Sequence, residues 1–289
     1  MTDCLDLLDP AAGLARPDLA EQALEGLVRA RAYRPTVAMR CRVAAADVRA
    51  GAEADAARID QLIFGEAFDV LERQGDLAWG RARRDGVVGW IDAAALAEGA
   101  GAPTHRVQIA TAALHDRPGL NALSLNALVA VAELDGPWAQ LADGGRMARD
   151  DLAPFDTFDP DPAAAAERLL GLAHELGARG AGATDCCGLV QQALYACGLA
   201  GPRYAPQQAQ AGHEAALTEA RRGDLVVWLN PHAGPWGGHA GVMIAPDRLL
   251  HASGRHGAVV IESLAETEER YAAEGYADAV FRRVVTGAA

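Results

Sequence analysis

The chain has 289 residues, enough for two domains at roughly 150 residues each or three small ones, and 51% hydrophobic against 22% charged residues excludes wholesale disorder. Acids outnumber bases 39 to 26, a net charge of −13, which argues against nucleic acid or an anionic membrane surface as a partner. There is no lysine, since all 26 formal cations are arginine, and this excludes phosphate-loop, Schiff-base and amine-nucleophile chemistry.

Asp3, Asp6 and Asp9 interrupt every apolar stretch at the N-terminus, so no secretory signal is expected. No run approaches the ~18 apolar residues of a membrane span, and the expectation is a cytoplasmic protein with reduced thiols. Residues 1–35 read as a helical segment. Within it Leu19, Ala23, Leu24 and Leu27 recur at helical spacing over 18–32, and Pro35 ends the pattern.

Residues 36–100 change texture. Short β-rich runs alternate with Gly65, Gly75, Gly86 and Gly89, which suits a small β-barrel, and Asp85-Gly86 marks a hairpin turn. Residues 101–155 repeat this order of strands, with Trp138 in the place of Trp79, and a second barrel is expected. The three prolines and three aspartates of 153–162 mark a linker. In the last unit, 156–289, helices are expected over 162–176 and from Cys186 to Gly198. Strands then follow at 225–229, 239–244, 248–253, 258–263 and 279–285, and Ser263 and Glu266 form a capping box for a further helix. Helices first and a meander after is an α+β order.

The cysteines lie at 4, 41, 186, 187 and 197, too scattered for a disulfide framework and without a CxxC pair for zinc. Cys186 falls in the first turn of a predicted helix, where free N–H groups and the helix dipole stabilise a thiolate. Such a thiolate needs an imidazole to hold its charge and move its proton, and His239 and His251 are the candidates. Both lie on one predicted hairpin. They share a face only if paired residue numbers sum to an even value, which an odd-length loop gives. Cys187 is the rival nucleophile, but it points about 100° away on the helix. A zinc set of Cys186, Cys187, His239 and His251 is disfavoured because adjacent cysteines diverge, and no cofactor is expected. Cys4, Cys41 and Cys197 read as inert, and Trp79, Trp90 and Trp138 as barrel core.

Four stretches carry a family resemblance. Asp185-Cys186-Cys187-Gly188-Leu189-Val190-Gln191 resembles the Asp-Cys-Ser-Gly-Leu-Val-Gln motif of NlpC-type cysteine peptidases of the papain-like class. Arg222–Trp228, Gly238–Met243 and Leu249–Ala252 are similar to the strand motifs that follow it in that family. The segment Leu62–Val70, Trp79 and Asp85–Ile91 resembles a bacterial SH3-like domain. Together they imply an α+β papain-like catalytic domain preceded by two SH3-like barrels, similar to γ-D-glutamyl-L-diamino-acid endopeptidases. Those cleave murein peptides bearing a free N-terminal L-Ala. The resemblance implies Cys186 as nucleophile, His239 as base, His251 as the orienting third member and a murein peptide as partner. It also implies substrate contacts from Asp185, Cys187, Glu66 and Trp90, with the acids meeting the free amine. Two departures stand out. His174 replaces the family's tyrosine ahead of the cysteine, within the altered stretch His174–Arg179, and the 229–238 loop is long. They keep open a decayed wall-binding protein, or an amidase or acyltransferase acting on another acyl group.

Overall fold

The computed structural model describes residues 13–99 and 101–285. Cys4 lies outside them. Residues 18–32 are not an α-helix, and their helical content is one 3-10 turn, Gln22–Leu24. Gly26 sits mid-segment at φ 82°, a left-handed turn, and Ala20–Glu21 pairs in parallel with Tyr33–Arg34 instead. The apolar spacing serves another purpose: Leu14 and Leu19 pack on Trp79 and Trp90, and the Arg16 guanidinium lies 4.1 Å from the Trp79 ring centre.

The first barrel is a seven-stranded antiparallel sheet running from Val37–Cys41 to Leu96–Ala97. Alternate residues of Ala45–Arg49 point inward, and Val48, Leu62, Phe68, Ala78 and Ile91 fill its core. Gly86 at φ 85° turns the Leu77–Ala82/Val88–Asp92 hairpin, whose register sets Trp79 opposite Trp90.

Residues 105–154 form three small sheets around Val107, Leu123, Ala139 and Met147. Phe64 from the first barrel enters this core, because Gly65 at φ 81° lets the backbones touch. A Cβ there would lie 1.9 Å from the Leu128 carbonyl oxygen. Trp138 is not core. It is half-buried, edge-on to His115 and covered by Arg146.

The C-terminal unit is one eight-stranded sheet. Its order from the edge is Ala183–Thr184, Ala173–His174, Ala258–Ser263, Arg248–Ser253, Gly238–Ala245, Leu225–Leu229, Val280–Arg283 and His213–Ala215. The helix Cys186–Ala196 is buried along its whole length, on one sheet face, against Leu225, Val227, Val242 and Leu250. The helix Leu264–Ala273 covers the other face through Leu264 and Tyr271, against Trp228, Met243 and Leu249. The predicted helix over 162–176 stops at Glu167. Gly171 at φ 82° turns the chain so that Ala173–His174 joins the sheet. Ser263 precedes the last helix without a side-chain bond to it, so the predicted capping box does not form.

Candidate active site

Cys186 is the first residue of its helix, after the N-cap Asp185. The Asp185 carboxylate accepts from the Gly188 N–H at 2.6 Å and the Gly177 N–H at 2.8 Å. Arg203 clamps the same carboxylate at 2.9 and 2.6 Å. The residue that precedes the cysteine is therefore held by three partners through four hydrogen bonds.

Three groups converge on the Cys186 sulfur. The Cys187 sulfur lies 3.9 Å away, His239 hydrogen bonds to it, and the Ala240 N–H donates to it. The Cys187 hydrogen bond above all, then the charge and hydrogen bond of His239, hold the Cys186 thiol well below the usual range despite its burial. Cys187 is pushed the opposite way, first by that same bond and then by burial. Of the two thiols, Cys186 is thus the one that ionises first.

The two histidines share a face through a device the sequence does not announce. Ala245 pairs with Arg248 around a two-residue turn, a sum of 493 that would separate them. A bulge at Ile244 shifts the register, so Met243 pairs with Leu249 and Val242 with Leu250, a sum of 492. His239 Nε2 then meets His251 Nδ1 at 2.7 Å. Gly241, two residues after His239 on its strand, lies opposite His251 on the next one. A Cβ there would stand 3.1 Å from the His251 Cβ. Beneath the His239 ring lie Tyr271, centre to centre 4.7 Å, and Trp228 at 6.1 Å.

The line continues past His251. Its Nε2 lies 2.6 Å from Glu262 Oε2, and Arg270 grips both Glu262 oxygens at 2.9 Å. Against the cost of its own burial, hydrogen bonds from Arg270 and then His251 hold the Glu262 carboxyl at about 2. Burial first, then neighbouring His239, lowers His251 to about 4, so it is neutral at pH 7. Neither Glu262 nor Arg270 was expected from the sequence. Glu262 sits on the strand beside His251, on the same face as its partner Val260, which strand alternation gives once the register is known.

These groups open on a cleft of about 310 Å³ lined by Cys186, His239, His174, Arg255, Trp236 and Glu274 among others. At its base a cysteine sulfur and an imidazole are in contact at a helix start, where backbone N–H groups lack intrahelical partners. Residues 171–277 match the model of the NlpC/P60 family, and residues 48–96 match that of the bacterial dipeptidyl-peptidase Sh3 domain. The C-terminal unit is an NlpC/P60 domain preceded by a bacterial SH3 domain.

Relatives agree in kind. Peptidoglycan endopeptidase RipB of Mycobacterium tuberculosis is 37% identical over 78 residues, 27% of this chain and 30% of that protein. Murein DD-endopeptidase MepS/murein LD-carboxypeptidase of Escherichia coli is 34% identical over 97 residues, 33% of this chain and 50% of its own length. The match thus covers half or less of the length of these two relatives. An NlpC/P60 family protein from Bacillus cereus has the same fold, with a TM-score of 0.73 at 17% identity over 86% of this chain and 100% of that one. An NlpC/P60 endopeptidase from Photobacterium damselae shares it at TM-score 0.57 and 12% identity, over 86% of this chain and 72% of that one.

Four residues expected at the substrate stand elsewhere or are otherwise engaged. Glu66 is 1% exposed and lies behind the NlpC/P60 domain's surface, bound by Arg179 at 3.0 and 2.7 Å and by Arg84 at 3.1 Å. Arg179 holds its carboxyl below the ordinary range against full burial. Trp90 packs on Trp79 and Leu19 and is no part of the cleft. Cys187 is fully buried, so its sulfur faces Cys186 and not the cleft. Asp185 does border the cleft, but its carboxylate is committed to Arg203 and the two backbone donors. His174 lines the cleft opposite Gly254, within 4 Å of where a Cβ would stand. The long 229–238 loop brings Trp236 to the cleft, edge-on to Tyr204 at 5.7 Å with Arg203 over it. Trp236 also packs on the first barrel's core cluster, so this loop ties the SH3 domain to the rim of the site.

Proposed function

We propose that this chain is a cysteine endopeptidase acting on peptidoglycan-derived peptides. The observation that carries the reading is the continuous line from the Cys186 thiolate through His239 to His251. The thiolate attacks the scissile carbonyl carbon, and N–H groups of the helix start hold the resulting oxyanion. The tetrahedral intermediate collapses as His239 delivers its proton to the leaving amine, which leaves a thioester on Cys186. Water, deprotonated by His239, then attacks the thioester and releases a carboxylic acid and the thiolate.

The finer reading is hydrolysis of the γ-D-glutamyl–diamino-acid bond, in recycling of wall peptides. The matches to a peptidoglycan endopeptidase and a murein endopeptidase support the substrate class. The cleft supports a substrate that carries both charges: Arg255 and Glu274 line it, and no ion pair engages either among the described residues. A diamino acid with a free carboxylate and a free amine suits such a pair. Recognition of a free N-terminal amine by Glu66 is not part of the proposal, because Arg179 and Arg84 occupy that carboxylate.

The test is incubation with L-Ala-γ-D-Glu-diaminopimelate, with and without an N-acetyl group, against a Cys186→Ser variant. Wild type is expected to release L-Ala-γ-D-Glu and the variant to release none. Absence of release by wild type, with Cys186 still reactive to alkylation, would move the reading to an amidase or acyltransferase on another acyl group.

A further inference from the structure

We propose that Glu262, held by Arg270, is a positioning residue that fixes the tautomer of His251 and thereby points the lone pair of His239 at Cys186. The inference rests on the reading of Cys186 as nucleophile and His239 as its base. It follows from counting protons along one line of hydrogen bonds.

A carboxylate only accepts hydrogen bonds, so the 2.6 Å contact places a proton on His251 Nε2. A neutral imidazole carries one proton, which leaves His251 Nδ1 as an acceptor. The 2.7 Å contact from His251 Nδ1 to His239 Nε2 must then be donated by His239. Before it takes the thiol proton, His239 therefore carries its own proton on Nε2 and its lone pair on Nδ1, the nitrogen left to face Cys186; after the transfer it is the imidazolium beside the thiolate. That is the arrangement a base needs. Each contact removes one choice, and the first choice belongs to Glu262.

Without the carboxylate the line can run backwards. His251 protonated on Nδ1 would donate to His239 Nε2 and move the His239 proton to Nδ1, facing sulfur. His239 would then be unable to take the thiol proton. The surroundings of Glu262 guard against this. Arg270 contacts both oxygens, His256 Nε2 lies 3.4 Å from Oε1, and His251 is fully buried, so water cannot readily substitute. Arg270 also stacks on Tyr271, which in turn lies under the His239 ring, so one arginine braces both ends of the imidazole pair.

The first measurement needs no variant. Nitrogen-15 NMR of the histidine rings at pH 7 is expected to show His251 protonated on Nε2 and bare on Nδ1; a proton on Nδ1 would overturn the inference. The second uses Glu262→Gln, an isosteric change. The pH midpoint for alkylation of Cys186 by iodoacetamide is expected to rise by about one unit, a tenfold change in thiolate. On the peptide substrate, kcat is expected to fall about 10²-fold with KM little changed. Loss of the tautomer-fixing carboxylate in a Ser-His-Asp triad costs about 10⁴, and here one imidazole intervenes. A Glu262→Gln protein with the wild-type alkylation profile and the wild-type His251 proton position would equally overturn it. Because alkylation and NMR use no substrate, they stay readable if the peptide assignment fails.

Discussion

Cys186 and Cys187 are adjacent, identical in chemistry, and opposite in acidity: the bond between their sulfurs, and then His239, lowers Cys186, while the same bond and then burial raise Cys187. Burial pushes Cys41 up to about 12, and burial with the nearby Asp159 carboxylate does the same for Cys197. Among these four thiols, brief iodoacetamide treatment at pH 6 is therefore expected to modify Cys186 alone, read by peptide mapping. Replacing Cys187 by Ala removes the largest contribution to the Cys186 thiolate, and the alkylation midpoint should rise. An unchanged midpoint would mean that His239 and the Ala240 amide suffice. That Cys186 and Cys187 face different ways was legible in the sequence, because a helix rotates successive side chains by about 100°. Glu66 and Trp90 were not placed correctly, and the reason is local. Each lies on a barrel strand or turn whose facing depends on the pairing register, and Arg179, which captures Glu66, is 113 residues away in sequence.

At the scale of elements, apolar periodicity proved a weaker guide than glycine conformation. Of the expected stripe only Leu19 is buried, Ala23 and Leu27 are exposed, and Gly26 at φ 82° lets that segment strap across Trp79 and Trp90. The hairpin of the two histidines shows the converse. Its sequence states the condition, an even separation, but carries no glycine or proline at Ile244 to announce the bulge that meets it. The bulge and Gly241 act together: one sets the face, and the other leaves room for His251 to close on His239. Gly241→Ala would place a Cβ 3.0 Å from the Leu250 carbonyl oxygen and 3.1 Å from the His251 Cβ, tighter than ordinary contact. His251 is then expected to shift by a few tenths of an ångström and stretch its 2.7 Å bond. We expect kcat to drop about tenfold with KM nearly constant, since small misplacements of a reacting group cost rate before affinity. A variant with wild-type kcat would show that the strand yields instead.

At the scale of the molecule, the SH3 domain and the NlpC/P60 domain are joined by buried charge. Four carboxylates, Asp60, Glu66, Asp85 and Asp185, meet three guanidiniums, Arg84, Arg179 and Arg203, and of these only Arg84 has an exposed portion. Arg179→Ala would leave Asp60 and Glu66 short of their partner, and losing one member of a buried ion pair costs about 3–5 kcal/mol. Thermal unfolding should show it, and an unshifted Tm would mean that water enters the seam. The count leaves one negative charge uncompensated, and it falls on Asp85. Burial and the Asp60 carboxylate raise Asp85 to about 7. The sign follows from which state holds the proton. An unfolded chain releases it near pH 4, while the folded chain keeps it to about 7, so this group makes the fold less stable as pH rises across that window and adds no further change above it. The slope is at most about 1.4 kcal/mol per pH unit. Asp85→Asn removes the titration, and its single side-chain oxygen can keep one of the two contacts that now go to separate carboxylate oxygens, the Gln191 amide on Oδ2 at 3.2 Å or the Val87 N–H on Oδ1 at 3.1 Å. Relative to wild type, the variant should gain stability from pH 5 to pH 8, measured by urea unfolding at each pH. A constant difference between the two proteins across that range would show that Asp85 is already ionised in the folded state and that Arg179, 3.6 Å away, neutralises it.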